Sequence, residues 1–281
     1  MCLSDTDLTP FVRAALAEDL GDNGDITTNA IIPASQTGKA KLVARQPGII
    51  AGLGLARLAF HLTDPAIKFQ AFKNDGDTVR PSTILAVASG PMRGILTAER
   101  TALNFLCRLS GIATATRALV DAAKPHKARI SCTRKTTPGL RLLEKYAVRA
   151  GGGANHRVGL YDAVLIKDNH LAAAKSIREA ALSARKAVGP SVKVELEVDT
   201  LDQLKEALDL PLDAVLLDNM PPETLSQAVK LVAGRFETEA SGHVTVANIN
   251  AIAATGVDII SSGWITHSAP ALDIALDYGS A

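Results

Sequence analysis

The stretch Val192-Lys-Val-Glu-Leu-Glu-Val198 decides the fold. Side chains alternate across an extended strand, so Lys193, Glu195 and Glu197 share one face and Val192, Val194, Leu196 and Val198 share the other. An open doubly wound sheet meets helices on both faces and needs both to be apolar. One charged face and one aliphatic face suit a barrel instead, with the aliphatic residues packed outward on helices and the charges pointing inward. The competing reading is an edge strand whose polar face is solvated.

Working outward, the same grammar repeats. Short apolar segments at 129–133, 163–167, 192–198, 214–218, 236–241 and 257–262 alternate with helical patterns at 140–150, 172–188, 201–208, 222–232 and 246–254. Pro222 stands where a first-turn proline belongs, and Gly189, Gly234 and Gly256 stand just past helix ends. This alternation predicts a parallel sheet or a closed (β/α) barrel. Each predicted strand ends in polar residues or glycine: Arg134 and Lys135, Lys167 and Asp168, Glu197, Asp218 and Asn219, Ser241 and Gly242, Ser262 and Gly263. These are the carboxyl ends of parallel strands, where barrel enzymes carry their sites.

Residues 134–167 hold the cations Arg134, Lys135, Arg141, Lys145, Arg149, Arg157 and Lys167 against the acids Glu144 and Asp162, in a chain of net charge +1. Arg141, Lys145 and Arg149 fall on a helix and are expected at the surface. The strand-end and loop cations are the candidates for binding a small, highly charged anion. The loops Glu239-Ala-Ser-Gly242 and Ser261-Ser-Gly-Trp264 are candidate phosphate holders, because glycine lets backbone N–H groups come close to an anion.

The first hundred residues read differently. Residues 8–20 form an amphipathic helix pattern, 39–44 and 67–72 alternate as half-buried strands, Asp75-Gly76-Asp77 marks a turn, and Gly90-Pro91 closes a strand at 84–88. Residues 74–85 resemble the small barrel of lipoyl and biotinyl carrier domains. The turn Ser89-Gly-Pro-Met-Arg93 has no lysine to modify, so only the scaffold is suggested and a carrier function is excluded.

Composition narrows the function class. A net charge of +1 creates no global field toward nucleic acid or an anionic membrane, and an aromatic content of 4% argues against base-stacking platforms. The acidic start (Asp5, Asp7, Glu18, Asp19) does not read as a signal peptide, and runs such as 48–56 are too short to span a bilayer. Cys2, Cys107 and Cys132 match no zinc pattern and suit a reducing cytoplasm without a structural disulfide.

Several motifs together carry a resemblance. Thr133-Arg-Lys-Thr-Thr-Pro-Gly-Leu-Arg141, Lys145-Tyr-Ala-Val-Arg149 and Gly151-Gly-Gly-Ala-Asn-His-Arg157 closely resemble quinolinate phosphoribosyltransferases. Glu18-Asp-Leu-Gly21, Asp25-Ile-Thr-Thr28, Glu99-Arg-Thr-Ala-Leu-Asn104, Gly159-Leu-Tyr-Asp162, Ile166-Lys-Asp-Asn-His170, Leu217-Asp-Asn219 and Thr266-His-Ser-Ala-Pro270 add to it in family order. The resemblance implies an open six-stranded α/β barrel at 104–269 and an N-terminal α/β sandwich at 1–103, to which the tail at 270–281 returns. It implies a homodimer or a larger assembly of dimers, and a reaction of quinolinate with phosphoribosyl pyrophosphate and Mg²⁺, giving nicotinate mononucleotide, pyrophosphate and CO₂.

By the same resemblance, Arg100 reaches into the partner's site, and Arg134, His156 and Arg157 hold the quinolinate carboxylates. Lys135 and Lys167 lie between quinolinate and pyrophosphate. Glu197 and Asp218 bind the ribose hydroxyls and the metal, directly or through water or substrate. Ser241, Gly242, Gly263 and His267 surround the 5′-phosphate. Lys135, Lys167, Glu197 and Asp218 form the catalytic set.

Four positions depart from the family pattern. Cys132 stands where many members have Asp, His243 replaces a usual glycine, and Ser262 and Trp264 replace small apolar residues. His243 is expected to face solvent and Trp264 to pack. The alternatives are a related paralogue of molybdenum transport operons, a nicotinate-using phosphoribosyltransferase, and a non-catalytic metabolite-binding scaffold. The quinolinate-type form of Thr136-Thr-Pro138 and Lys167-Asp-Asn-His170 disfavours the first, the large basic set the second, and intact Lys135, Lys167, Glu197 and Asp218 the third.

Overall fold

The structure, a computed structural model, describes residues 3–278. From the amino end come α1 (Asp5–Leu20), α2 (Ile26–Ile31), β1 (Thr37–Ala44), β2 (Gly48–Ile49), α3 (Leu53–Thr63), β3 (Lys68–Ala71), β4 (Thr78–Val79), β5 (Ile84–Pro91) and the long α4 (Met92–Ala122). Then follow β6 (Arg129–Ser131), α5 (Arg141–Ala150), β7 (Val164–Ile166), α6 (Asp168–Ala173), α7 (Ile177–Val188), β8 (Val194–Val198) and α8 (Leu201–Ala207). The chain ends with β9 (Ala214–Asp218), α9 (Pro222–Val232), β10 (Glu237–Ser241), α10 (Ile249–Ala254), β11 (Ile259–Ser261), α11 (Trp264–His267) and β12 (Ile274–Tyr278).

Two compact units result. One takes the chain up to Ala115, Arg149–Gly152 and everything from Ala269 on; the other takes Thr116–Val148 and Gly153–Ser268. Helix α4 carries the chain from the first to the second.

In the first unit β12, β1, β5 and β3 form one antiparallel sheet in that order, so the tail supplies an edge strand next to β1. Helix α1 begins at Asp5, ahead of the amphipathic stretch, because Ser4 and Asp7 form a reciprocal cap: Asp7 N–H donates to Ser4 Oγ and Ser4 N–H to the Asp7 carboxylate. Its buried stripe is Leu8, Val12 and Leu16, spaced by one helical turn. Helix α3 has no cap of its own; the Asp75 carboxylate accepts the N–H groups of Gly52 and Leu53 at 2.9 and 3.1 Å. Gly76, at φ +97°, makes that turn possible.

In the second unit six parallel strands run in the order β6-β11-β10-β9-β8-β7. The chain starts at one edge, crosses to the other with β7, and returns strand by strand until β11 reaches β6. The sheet stays open between β6 and β7, and the parallel bridge Ser131–Ala154 extends the β6 edge. Strand β8 is an inner strand with Val194, Leu196 and Val198 fully buried and helices α7 and α8 packed on it, which excludes the solvated-edge reading.

The opposite face is polar and concave. Strands β8 and β10 flank β9, so a flat sheet would hold them about 10 Å apart. Yet ligand atoms of Glu195 on β8, Glu239 on β10 and His156 all lie within 4.8 Å of one another. The sheet therefore curls, and its inward side chains converge as in an open barrel. Ala214 and Leu216, opposite Glu195 and Glu197 in the register, present small and apolar side chains between the acids.

Two helices of the second unit differ from expectation: α10 starts at Ile249 rather than at 246, and one longer pattern is interrupted. The pattern at 172–188 divides into α6 and α7, because Ser176 Oγ accepts the Glu179 N–H at 3.1 Å and starts a new helix there. Pro222 is the first-turn proline of α9, and Gly189, Gly234 and Gly256 take left-handed φ values of +66°, +79° and +89° just beyond their helices. Cys107 and Cys132 are free thiols, and Cys2 lies outside the described residues. Among the described residues no helix is long and apolar enough to cross a membrane.

Candidate active site

The polar face of the barrel unit is built in levels, two strand residues apart. At the amino end Lys193 Nζ pairs with Glu237 at 2.9 Å, and Arg129 also bonds Glu237. One level up, His156 Nε2 meets Glu195 Oε2 at 3.0 Å and Glu239 Oε2 at 3.5 Å. At the carboxyl end Lys167 Nζ pairs with Glu197 Oε2 at 2.9 Å, and Asn219 Nδ2 donates to Asp218 at 2.6 Å. Strand alternation thus turns the Lys-x-Glu-x-Glu pattern, whose lysine just precedes β8 and whose glutamates lie on it, into a column of charges.

Above this column lies a cavity of about 390 Å³ that gathers Arg134, Lys135, His156, Arg157, Lys167, Glu197 and Asp218. A larger cavity of about 730 Å³ is lined by Ser241, Gly242, His243, Ser262, Gly263, Trp264 and His267. The two share Thr133, Lys135, Asp218, Ser241 and Ser261. The barrel-borne candidates of the sequence reading therefore meet at one mouth. Arg100 does not line either cavity; it is exposed on α4 in the first unit.

The smaller cavity is electrostatically incomplete. Burial, and then the neighbouring Arg134 guanidinium, hold Arg157 below its usual value. Arg134 Nε is buried and finds no hydrogen-bond partner among the described residues. An unpaired buried donor on a guanidinium beside a second guanidinium calls for an anion with oxygen acceptors.

Helix α5 organises the loops that carry these cations, which corrects the expectation of a surface helix. Lys145 is only 2% exposed; its Nζ donates to the His156 carbonyl at 2.9 Å and to Cys132 Sγ at 3.1 Å. Glu144, fully buried, accepts Thr137 N–H at 3.1 Å and Thr137 Oγ1–H at 2.8 Å. Arg141 bonds Thr136 Oγ1 at 3.0 Å and the Val158 carbonyl at 3.1 Å. These three side chains lie on one helical face and tie 134–139 to 156–158; Arg149 alone is exposed as expected. Asp162 closes the second loop by accepting the N–H groups of Val158 and Gly159. Burial opposes its charge, and those backbone bonds override it and lower its pKa.

The larger cavity relies on backbone geometry. Gly242 sits at φ +102°, and a Cβ there would lie 2.1 Å from Asn219 Oδ1. Asn219, itself at φ +53°, donates its N–H to the Ser241 carbonyl at 2.9 Å. A Cβ on Gly263 would come 2.9 Å from Lys135 Cδ. Lys135 is anchored from below, its carbonyl accepting the buried Thr266 hydroxyl at 2.7 Å. His243 is exposed, as expected. Trp264 is not a packing residue: it is 40% exposed and lines the cavity, because it opens α11 just past the Gly263 turn.

Sequence reasoning named Glu195 as inward-facing without giving it a role in the site, assigned Glu239 to a phosphate-holding loop although it lies buried within β10, and gave Glu144 and Lys145 no part in organising the site. Glu195 carried a signal, its alternation with Glu197. Glu239 carried the same signal, its alternation with Glu237 and Ser241, but its pairing with Glu195 skips a strand and left no local trace. Glu197 and Asp218 are oxygen donors in one cavity, a set suited to a hard divalent cation that keeps water and phosphate oxygens in its shell.

Comparison with known proteins agrees with this geometry. Family models described as quinolinate phosphoribosyl transferase, N-terminal and C-terminal domain, match residues 25–110 and 112–277. The probable nicotinate-nucleotide pyrophosphorylase (carboxylating) of Bacillus subtilis is 46% identical over 260 residues, covering 92% of this chain and 89% of that protein. The crystal structure of NadC from Streptococcus pyogenes superposes with a TM-score of 0.95 at 40% identity, covering 100% of both chains. Nicotinate-nucleotide pyrophosphorylase from Ehrlichia chaffeensis gives 0.94 at 39% identity, covering 99% of this chain and 100% of that one.

Proposed function

From the chain's membership of the quinolinate phosphoribosyl transferase family, we propose that it transfers phosphoribosyl from phosphoribosyl pyrophosphate to quinolinate with loss of CO₂. The products are nicotinate mononucleotide and pyrophosphate, in de novo NAD biosynthesis. One observation carries the choice of acceptor: Arg134, with its unpaired buried Nε, Arg157 and Lys167 line a single cavity, a cation set matched to two carboxylates rather than one.

Arg134 and Arg157 grip the carboxylates and orient the ring so that its nitrogen faces the sugar. The ring nitrogen is the nucleophile, so no serine or cysteine is needed. Displacement at the anomeric carbon builds positive charge on the ribose, which Glu197 and Asp218 stabilise from the strand ends. Lys135 and Lys167 counter the negative charge of the departing pyrophosphate. Ser241, Gly242, Gly263 and His267 hold the 5′-phosphate, largely through backbone N–H groups. Mg²⁺, held by Glu197 and Asp218 directly or through water, would neutralise pyrophosphate charge. After transfer the ring nitrogen is cationic, the adjacent carboxylate leaves as CO₂, and the electron pair left on that ring carbon, stabilised by the neighbouring cationic nitrogen, takes up a solvent-derived proton; orientation and desolvation of the carboxylate are the protein's contribution.

The same reading makes the protein a cytoplasmic homodimer in which Arg100 of one copy serves the site of the other. Incubation with phosphoribosyl pyrophosphate, Mg²⁺ and either quinolinate or nicotinate, following CO₂ and nucleotide, tests the assignment. Turnover with quinolinate is expected. Turnover with nicotinate alone would reassign the acceptor.

A further inference from the structure

We propose that His156 is a positioning residue clamped at both ring nitrogens, with Glu195 and Glu239 as the acids that clamp it, and that it does not itself grip the substrate. This rests on the quinolinate reading only in taking Arg157 as the substrate-facing group that His156 positions.

An imidazole has two nitrogens, and both are engaged by the protein. Nδ1 accepts the N–H of Arg157 at 2.8 Å, so it carries a lone pair and the proton sits on Nε2. Nε2 faces Glu195 Oε2 at 3.0 Å and Glu239 Oε2 at 3.5 Å. With both positions occupied, the ring has no N–H left for a substrate carboxylate. The side chain is also only 13% exposed.

The acids converge on the ring, with the Ser261 side chain and the charge of Lys193 also favouring the ionised form of Glu239. Glu195 Oε1 and both oxygens of Glu239 are buried without a hydrogen-bond partner among the described residues. Two adjacent buried carboxyls cannot both ionise at low cost, and burial, then the charge of Glu195, push Glu239 up to about 7. The ring feels opposed influences. Burial disfavours its charged form, while the bond to Glu195 and the charge of Glu239 raise its pKa overall. The Arg157 N–H resists a second ring proton, since a proton on Nδ1 would meet it head-on. The same contact argues against a metal ion among these donors, which would need the Nε2 lone pair and hence the proton on Nδ1.

What the clamp holds is the cation loop. The Arg157 backbone is tied to the ring, and its Nη1 is steered by the Ala163 carbonyl at 3.1 Å. The His156 carbonyl accepts Lys145 Nζ at 2.9 Å. Loss of the ring or of its carboxylate partner would free the same loop, so the two losses should not compound.

The direct test is long-range ¹H–¹⁵N correlation of the histidine rings in the full-length protein, free and saturated with quinolinate. The chain has 6 histidines, and the His156 signals are assigned by their absence in His156→Gln. A protonated Nε2 and bare Nδ1, unchanged by quinolinate, are expected. A proton on Nδ1 in the free protein, or a ring N–H that shifts as a donor to quinolinate, would overturn the proposal. The free-protein tautomer can be read even if quinolinate proves not to be the substrate, so the two failures are separable. In kinetics, E195A and H156A should each raise the KM for quinolinate about 10-fold, and the double variant no further. E195Q, whose amide oxygen can still accept from Nε2, should recover part of the E195A loss. Multiplicative losses in the double variant would instead show His156 acting on the substrate independently of Glu195.

Discussion

The two adjoining cavities at the barrel mouth solve the same problem, holding anions, by different means. The smaller one uses side chains: guanidinium and ammonium groups from several loops, crowded enough that Arg157 is held below its usual value and Arg134 keeps an unpaired buried donor. The larger one relies on backbone, with Gly242 at φ +102° and a turn at Gly263, beside the single lysine, Lys135, that it shares with the smaller one. Side-chain charge gives strong, salt-sensitive attraction that discriminates by charge number. Backbone N–H groups give fixed direction and suit a phosphate whose place must not vary.

The largest effects should come from the charged cavity. Arg134→Ala or Arg157→Ala removes charge-assisted bonds of about 1.5–3 kcal/mol each, lowering kcat/KM for quinolinate about 10- to 100-fold while affecting phosphoribosyl pyrophosphate less. Gly242→Ala sharpens the contrast from the other side. Its Cβ would collide with Asn219 and its φ is unfavourable for alanine, so KM for phosphoribosyl pyrophosphate should rise about 10-fold with quinolinate binding little changed. Direct binding measurements for both ligands check both variants.

Arg100→Ala and Lys135→Ala subunits, each inactive alone, should regain about a quarter of wild-type activity after equal mixing and exchange. Half of the dimers are then mixed, and each holds one intact site of two. No recovery after verified exchange would confine the smaller cavity's chemistry to one chain.

A smaller effect lies beneath the cavity. Glu239 has its pKa raised by burial and by Glu195, to about 7 from an ordinary 4.5. Below the lower value both folded and unfolded chains hold its proton; between the two values the folded chain retains a proton that the unfolded chain has lost. Its contribution to stability therefore falls as pH rises through this window and levels off above it. Glu239→Gln should gain stability relative to wild type between about pH 5 and about pH 8, as read by denaturant unfolding. Trp264→Ala should matter least: an exposed wall residue, it should change KM for phosphoribosyl pyrophosphate by no more than about 3-fold.

The contrast between the cavities also explains what the sequence made legible. The β8 pattern announced its charged inner face, and the polar strand ends marked the mouth, because alternation along a strand is a local property. Glycine after serine marked the backbone cavity for the same reason. Lys145 and Glu144 were hidden because their partners, the carbonyl of His156 and the Thr137 backbone, come from loops whose path no local pattern encodes. The meeting of Glu239 with Glu195 was hidden because a strand lies between theirs, so only the curl of the sheet brings them together. Ser176 was a legible cap that a continuous amphipathic pattern obscured.

The most direct test of the central claim, that the crowded cations form a pocket for a dianion, is calorimetric titration of the protein with quinolinate and with nicotinate at two salt concentrations. Quinolinate should bind at least about 10-fold more tightly, with the difference shrinking at high salt and collapsing in Arg134→Ala. Equal affinity for the two acids, or a preference for quinolinate that survives loss of Arg134, would contradict it.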